Sequence, residues 1–236
     1  MKKTGRLFLL PSLLADDSIE KQIPVYNSQI VSEINYFIVE ELRTARRFLK
    51  KLQPSIIIDD LNFSELNEHT NSDEILELLQ PMLQGNDAAL ISEAGLPCVA
   101  DPGNGLVFMA HQLNIEVIPL VGPSSLLLAL MASGFNGQHF TFLGYLPIDK
   151  HEREQKLKQL ERNAWQFDQT QIFIETPYRN KQMIESITSL CRNETQLCVA
   201  ANILSEKQII VSQTVQRWKS NKIDFHKIPA VFLIYK

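Results

Sequence analysis

Short apolar runs separated by helix-length stretches limit this chain more than any other feature of its sequence. In the first half the runs fall at residues 6–10, 55–59, 88–92 and 116–119. They lack a sustained polar alternation, as strands do when crossover helices cover both faces of a parallel sheet. Helix-length stretches lie beside them at 28–39, 44–52, 73–83 and 104–113. Asn71 or Ser72 is placed to cap the third, and acidic residues fill its first turn, where carboxylates meet the positive end of the helix dipole. An apolar helix is expected over 125–132, broken by the Ser-Gly-Phe-Asn-Gly of 133–137. The second half carries strands near 140–143, 171–175, 196–200, 208–212 and 230–235, with helices near 150–162 and 180–190. The link from 200 to 208 is too short for a parallel crossover, so those two strands should form an antiparallel hairpin in a mixed sheet. A chain of 236 residues, 44% hydrophobic and 21% charged, is comfortable for two small cores. The expected fold class is α/β with two α/β domains, a parallel-rich sheet in residues 1–121 and a mixed sheet in residues 122–236.

Several classes of protein are set aside by composition. Met1-Lys-Lys before the apolar stretch 7–15 has the pattern of a short export signal. Pro11 and Ser12 interrupt that stretch, however, and no small-x-small cleavage site precedes Asp16. The same residues make a first buried strand and its loop, which implies a cytoplasmic protein. Cys98, Cys191 and Cys198 form no CxxC pair, so neither a disulfide framework nor a zinc site is expected. The five histidines show no ligand spacing, and no metal is expected. No segment approaches the roughly 20 apolar residues of a membrane span. A net charge of −4 does not imply a broad nucleic-acid-binding surface and leaves room for a local basic patch.

Chemistry concentrates after the run at 88–92. Ser92, Glu93, Ala94, Gly95 and Pro97 lead to Asp101, Pro102 and Gly103 before the next helix. In open α/β sheets ligands bind beyond the carboxyl ends of strands. Gly95 and Gly103 permit positive φ and close backbone approach. Glu93 and Asp101 can accept hydrogen bonds from ribose hydroxyls or an amino group. An ordinary strand-loop-helix turn would also use these glycines and prolines, and spacing alone does not separate the two. The segment is neither GxGxxG nor a P-loop, so nothing here calls for a dinucleotide or ATP. A second glycine loop, Pro-Leu-Val-Gly-Pro-Ser-Ser over 119–125, again joins a run to a helix. Ser124 or Ser125 can cap that helix, donate to a ligand, or both.

Taken together, these loops resemble a known family. Leu-Ile-Ser-Glu-Ala-Gly-Leu-Pro-Cys-Val-Ala-Asp-Pro-Gly at 90–103 is similar to the Ser-Asp-Ala-Gly-Thr-Pro…Ser-Asp-Pro-Gly segment of the tetrapyrrole methylase superfamily. The likeness is greatest to its branch that methylates a cytidine ribose 2′-oxygen in small-subunit ribosomal RNA. In the family's order follow the 119–125 loop, Ala-Ser-Gly-Phe from 132, Phe-Leu-Gly-Tyr-Leu-Pro from 142 and Ile-Glu-Thr-Pro-Tyr-Arg from 174. Glu-Glu-Leu-Arg-Thr-Ala-Arg-Arg from 40 is a weaker echo of Glu-Asp-Thr-Arg-x-Thr-Arg-Arg.

The resemblance implies S-adenosyl-L-methionine held in a cleft between the two domains. On that carry-over Ser92, Glu93, Ala94 and Gly95 face its methionine end, with Pro97 and Asp101 in the same loop. Leu120, Gly122, Pro123, Ser124 and Ser125 line the same pocket. Thr176 and Tyr178 lie nearby, and Ala201, Pro229 and Ala230 approach the adenine. The family's first loop, near Thr-Pro-Ile-Gly-Asn-Leu-x-Asp, is Leu-Pro-Ser-Leu-Leu-Ala-Asp over 10–16 here, without the Gly-Asn pair. Glu41, Leu42 and Ala45 also replace its Asp and two Thr residues. Those changes fall on the acceptor side.

A ribose hydroxyl is a weak nucleophile, so a base or cation should assist its deprotonation. Glu41 and Arg43 are the candidates, although both also suit a plain helix start. Arg43, Arg46, Arg47 and Lys50 share one helical face that can contact phosphates or simply be solvated, with Phe48, Leu49 and Leu52 buried behind. An RNA substrate and a homodimer are the implied partners. A methyltransferase acting on a tetrapyrrole-like small molecule and a non-catalytic cofactor- or RNA-binding relative are the alternatives.

Overall fold

A computed structural model describes residues 4–67 and 69–236. The chain divides into two compact units on either side of the Ser124–Ser125 bond.

The first unit is a five-stranded parallel sheet in the order β3-β2-β4-β1-β5. Its strands are β1 (Arg6–Leu10), β2 (Tyr36–Val39), β3 (Asn62–Glu65), β4 (Ala88–Ile91) and β5 (Glu116–Pro119). Every β4 residue is buried. Successive side chains alternate between two cores. Phe8, Leu10, Phe37, Val39, Ala89 and Ile91 face α2 (Leu42–Leu52), while Leu7, Ile38, Ala88 and Leu90 face α3 (Ser72–Leu83) and α4 (Asn104–Gln112). Burial on both faces explains the continuous apolar runs.

Two sequence expectations are corrected here. The stretch 28–39 is not one helix: α1 is Val25–Val31, and after a turn Tyr36-Phe-Ile-Val39 is a strand. The β-branched and aromatic side chains of that tetrapeptide fill a sheet position between β3 and β4. Residues 55–59 are not a strand either. They form a turn leading into a 3-10 helix, Ile58–Asp60, and the strand is the more polar edge strand Asn62–Glu65. An edge strand has one free flank and less need of apolar residues, so its run was the harder one to see.

Local capping matches the sequence. The Asn71 side chain accepts from Asp73 N–H at 2.9 Å and Glu74 N–H at 3.1 Å, and Glu74 Oε2 accepts from Asn71 N–H at 2.8 Å. Asn71→Ala removes two acceptor contacts at a helix start and should cost about 1 kcal/mol. A lower urea midpoint with an unchanged slope would show it, and an unchanged midpoint would refute it.

The second unit is a mixed sheet in the order β6-β7-β10-β8-β9. It comprises β6 (Phe140–Tyr145), β7 (Thr170–Glu175), β8 (Gln196–Ala201), β9 (Ile209–Thr214) and β10 (Ala230–Tyr235). Only β6 and β7 run parallel; β8 and β9 form the expected antiparallel hairpin. Phe173 and Phe232 stack at 5.5 Å in the core under α6 (Lys150–Phe167), α7 (Asn180–Leu190) and α8 (Val215–Trp218). α5 (Ser125–Ser133) lies against β8, β9 and β10. α6 runs five residues beyond the expected 162, to a left-handed Asp168. Among the described residues no helix is long and apolar enough to cross a membrane.

Candidate functional site

In the first sheet β1 and β4 are neighbours whose crossovers leave in opposite directions, β1 towards β2 and β4 over β1 to β5. Loops part at such a point, and the crevice beyond the carboxyl ends of the strands is where open α/β sheets bind ligands. The loops after β1, β4 and β5 meet there at backbone level. Gly95 O accepts from Ser12 N–H at 2.9 Å and from Ser92 Oγ at 2.7 Å. A Cβ on Gly95, whose φ is +80°, would lie 3.0 Å from Leu14 Cδ2 and 3.1 Å from Pro123 O. A Cβ on Gly122 would lie 2.2 Å from Pro11 Cβ. These glycines therefore let the loops close on one another. Asn27 Nδ2, buried on α1, holds Val121 O at 3.0 Å. Ser92, Gly95, Pro97, Leu120 and Pro123 are buried, whereas Glu93 and Ala94 are exposed.

The loop after β1 is shaped by its own contacts. Gln22 accepts from Leu14 N–H and donates to Ala15 O, both at 2.9 Å. Lys51 Nζ reaches Asp16 Oδ1 at 2.8 Å and Asp17 O at 2.6 Å. With β2 and α2 this loop encloses a cleft of about 370 Å³ within the first unit. Apolar walls come from Leu13, Leu14, Val39, Ala45, Phe48 and Ile91, and the polar groups include Ser12, Glu40, Glu41, Arg47, Ser92 and Glu93. An apolar cleft with a few convergent polar groups is the usual form of a small-ligand site.

Glu40 and Glu93, which line it, have the Asp101 carboxyl as a neighbour. Burial pushes the Asp101 carboxyl up to about 7, with Glu40 adding repulsion and a carboxyl–carboxyl hydrogen bond, and Glu93 adding further repulsion. Glu93 is likewise raised, by burial first and then by Glu40 and Glu41, with Arg47 opposing. Glu40 Oε2 and Ser12 Oγ are buried without a hydrogen-bond partner among the described residues. Nor do any three His, Cys, Asp or Glu side chains among those residues form a group suited to a metal ion.

Glu41, the first candidate base, caps α2. It accepts from Arg43 N–H at 2.9 Å, from Thr44 N–H at 2.6 Å and from the Thr44 hydroxyl. These bonds, the hydroxyl's foremost, hold its carboxyl below the usual range, which weakens it as a proton acceptor. Arg43 is exposed on the same helix turn. The basic stripe is not one uniform face. Arg46 lies over the Phe63 ring at 5.3 Å and Lys50 Nζ holds Ile56 O at 2.9 Å, while Arg47 lines the cleft.

In the second unit the candidate residues collect at one end of the sheet. Glu175 pairs with Ala230, and Ala230 with Ala201, giving a row across β7, β10 and β8. Asn202 N–H donates to Pro229 O at 3.0 Å, drawing the loop ends together. Thr176 and Tyr178 follow β7 directly. Buried Glu175 accepts from Thr176 N–H at 2.6 Å and Arg179 Nε at 2.9 Å, so it fixes the turn that presents them. Tyr178 is 70% exposed, with Lys227 Nζ 5.7 Å from its ring. Ser125 opens α5.

Sequence reasoning did not single out Ser12 or Glu40 as site residues. Glu40 was visible as the acid that immediately follows a strand, and Ser12 as the polar residue interrupting the first apolar stretch.

The sequence profile of the tetrapyrrole (corrin/porphyrin) methylases matches residues 28–218. A protein named ribosomal RNA small subunit methyltransferase I from Buchnera aphidicola subsp. Schizaphis graminum is 30% identical over 210 residues, 89% of this chain and 70% of its own length. Its namesake from Haemophilus influenzae is 31% identical over 154 residues, 65% of this chain and 53% of its own length. The chain thus spans between about half and seven-tenths of these curated relatives. Among solved structures, the methyltransferase CobJ superposes with a TM-score of 0.66 at 15% identity, covering 99% of this chain and 95% of its own. Uroporphyrin-III C-methyl transferase from Thermus thermophilus, solved with S-adenosyl homocysteine, gives 0.55 at 14% identity, covering 98% of both chains. These two likenesses concern the fold; the matched profile and the Buchnera relative go further, and the chain belongs to the tetrapyrrole methylase family.

Proposed function

We propose that the chain is an S-adenosyl-L-methionine-dependent methyltransferase that modifies ribosomal RNA of the small subunit at a ribose 2′-oxygen. The observation that carries this reading is the meeting of the loops after β1, β4 and β5, beside a cleft lined by Glu40, Glu41 and Glu93, in a chain of this family. S-adenosyl-L-methionine carries an ammonium and a sulfonium, which the carboxyl group of Glu93 complements, and Asp101 offers a hydrogen-bonding carboxyl beside it. Ser92, Ala94, Gly95, Pro97, Leu120, Gly122, Pro123 and Ser124 would bind it from the first unit. Ser125, Thr176, Tyr178, Ala201, Pro229 and Ala230 would contribute from the second.

When bound, the cofactor supplies an electrophilic methyl group. The protein's own contribution is to align the acceptor and exclude water. Arg43 and Arg47 provide positive charge for a phosphate backbone, and the names of the relatives favour ribosomal RNA over a tetrapyrrole. A cytoplasmic homodimer is part of the same proposal.

Calorimetric titration should show S-adenosylmethionine binding to the folded protein, and labelled methyl groups should move to undermethylated small ribosomal subunits. Folded protein that binds no cofactor would overturn the reading. Binding with transfer to a tetrapyrrole but not to RNA would replace the substrate.

A further inference from the structure

The acceptor side of the cleft holds two polar groups that the fold leaves unsatisfied. Ser12 is only 4% exposed, it lines the cleft, and its Oγ is buried with no partner among the described residues. Its backbone N–H is already committed to Gly95 O, which fixes where the residue stands. Glu40 Oε2 is the second such atom. An unpaired buried oxygen commonly costs about 1–3 kcal/mol, so two in one cleft call for a ligand that supplies a donor to the carboxylate and a partner to the hydroxyl. Helix capping explains Glu41 and turn formation explains Glu175, but no comparable structural duty is seen for Glu40 Oε2.

We infer that Ser12 and Glu40 form the subsite for the reacting ribose, in which Glu40 Oε2 takes the proton of the acceptor hydroxyl and Asp101 is the positioning residue behind it. This rests on the methyltransferase reading above. The Asp101 carboxyl, pushed up to about 7 by burial, is hydrogen-bonded to the Glu40 carboxyl, while Glu40 Oε2 has no partner among the described residues and is left to accept. The charged groups around the pair are Glu93, Glu41 and Arg47. During transfer the hydroxyl oxygen forms a bond to the methyl carbon and its O–H bond breaks. The proton passes to Glu40 Oε2, and the sulfur keeps the electron pair of the broken carbon–sulfur bond. The proton then leaves to water through the mouth of the cleft. Ser12 Oγ donates to the neighbouring ribose oxygen and orients the sugar.

The test uses the full chain with cytidine 5′-monophosphate and its 2′-deoxy counterpart, followed by ligand-observed NMR at millimolar concentrations, and S-adenosylhomocysteine binding measured in parallel. The ribonucleotide should bind at least ~10-fold more tightly than the deoxynucleotide, because a site built around a hydroxyl rejects an analogue that lacks it. Glu40→Gln and Ser12→Ala should each reduce that preference to within about twofold while leaving S-adenosylhomocysteine affinity within about threefold. In single-turnover transfer Glu40→Gln should lose ~10²–10⁴-fold in rate. Equal binding of the two nucleotides by the unaltered protein overturns the subsite without any variant having to fold. A preference that survives Glu40→Gln, or a loss of cofactor affinity equal to the loss of nucleotide affinity, overturns it as well. Absence of S-adenosylhomocysteine binding, by contrast, counts against the methyltransferase reading itself.

Discussion

Gly122→Ala should lower the stability of the first unit by about 2–3 kcal/mol and weaken S-adenosylmethionine binding at least tenfold. The added Cβ would stand 2.2 Å from Pro11 Cβ and 2.5 Å from Pro11 Cγ. A proline ring cannot swing aside as a long flexible side chain can, so backbone must move. Pro11 is joined to Ser12, whose N–H is bonded to Gly95 O. A shift at Pro11 therefore reaches the Ser92–Gly95 turn and the shape of the cleft. Urea denaturation and cofactor calorimetry on the same preparation measure both effects. Gly137→Ala is the control, since nothing lies within 4 Å of a Cβ there, and it should change stability by less than about 0.5 kcal/mol. Matching midpoints and affinities for Gly122→Ala and the unaltered protein would mean that the loops separate freely.

Asp101→Asn should stabilise the protein at pH 8 and have little effect at pH 4. The ordinary Asp value is 3.8, and in the folded chain burial beside Glu40 moves it up to about 7. Between those values the unfolded chain has released the proton and the folded chain still holds it. Folding then requires proton binding, so this group's contribution to stability falls as pH rises from about 4 to about 7 and stays low above that. The amide does not ionise and removes the dependence. Asp101 is roughly half-exposed and solvent screens it, so about 1–2 kcal/mol survives, or roughly 2–8 °C in Tm. Thermal melts of both proteins across pH 4–8 give the difference curve. A flat curve, or one that rises toward low pH, would show that the fold does not raise the Asp101 carboxyl.

Much of this architecture was legible because strands buried on both faces, parallel or antiparallel, must be continuously apolar. Ala88–Ile91 and Ala230–Tyr235 are unmistakable for that reason. Tyr36–Val39 is just as apolar but follows a helix after only a short turn, so its residues continued the helical period on paper. Asn62–Glu65 is an edge strand with exposed Asn62 and Glu65 and carries almost no apolar signal. The glycine loops were legible as a candidate site. Their mutual packing was not, because Pro11 meets Gly122, and Ser12 meets Gly95, only after the sheet brings distant segments together. The different surroundings of the two acids at the start of α2 were illegible for a related reason. Glu40 and Glu41 are adjacent in sequence, and only the backbone direction at the end of β2 decides that Glu41 caps the helix while Glu40 faces Asp101.

The position of β10 in the second sheet bears on how the protein is made. It is the inner strand that pairs with both β7 and β8, yet it comes from residues 230–235. The first sheet, by contrast, is complete once residue 119 has been synthesised. During synthesis the first unit can fold on its own schedule, while β7 and β8 wait with bare facing edges for a partner still to be translated. Open strand edges invite pairing with other chains. A ribosome that stalls between residues 201 and 230 would therefore hold a finished half and a sticky one, and the second unit is where chaperone protection matters most.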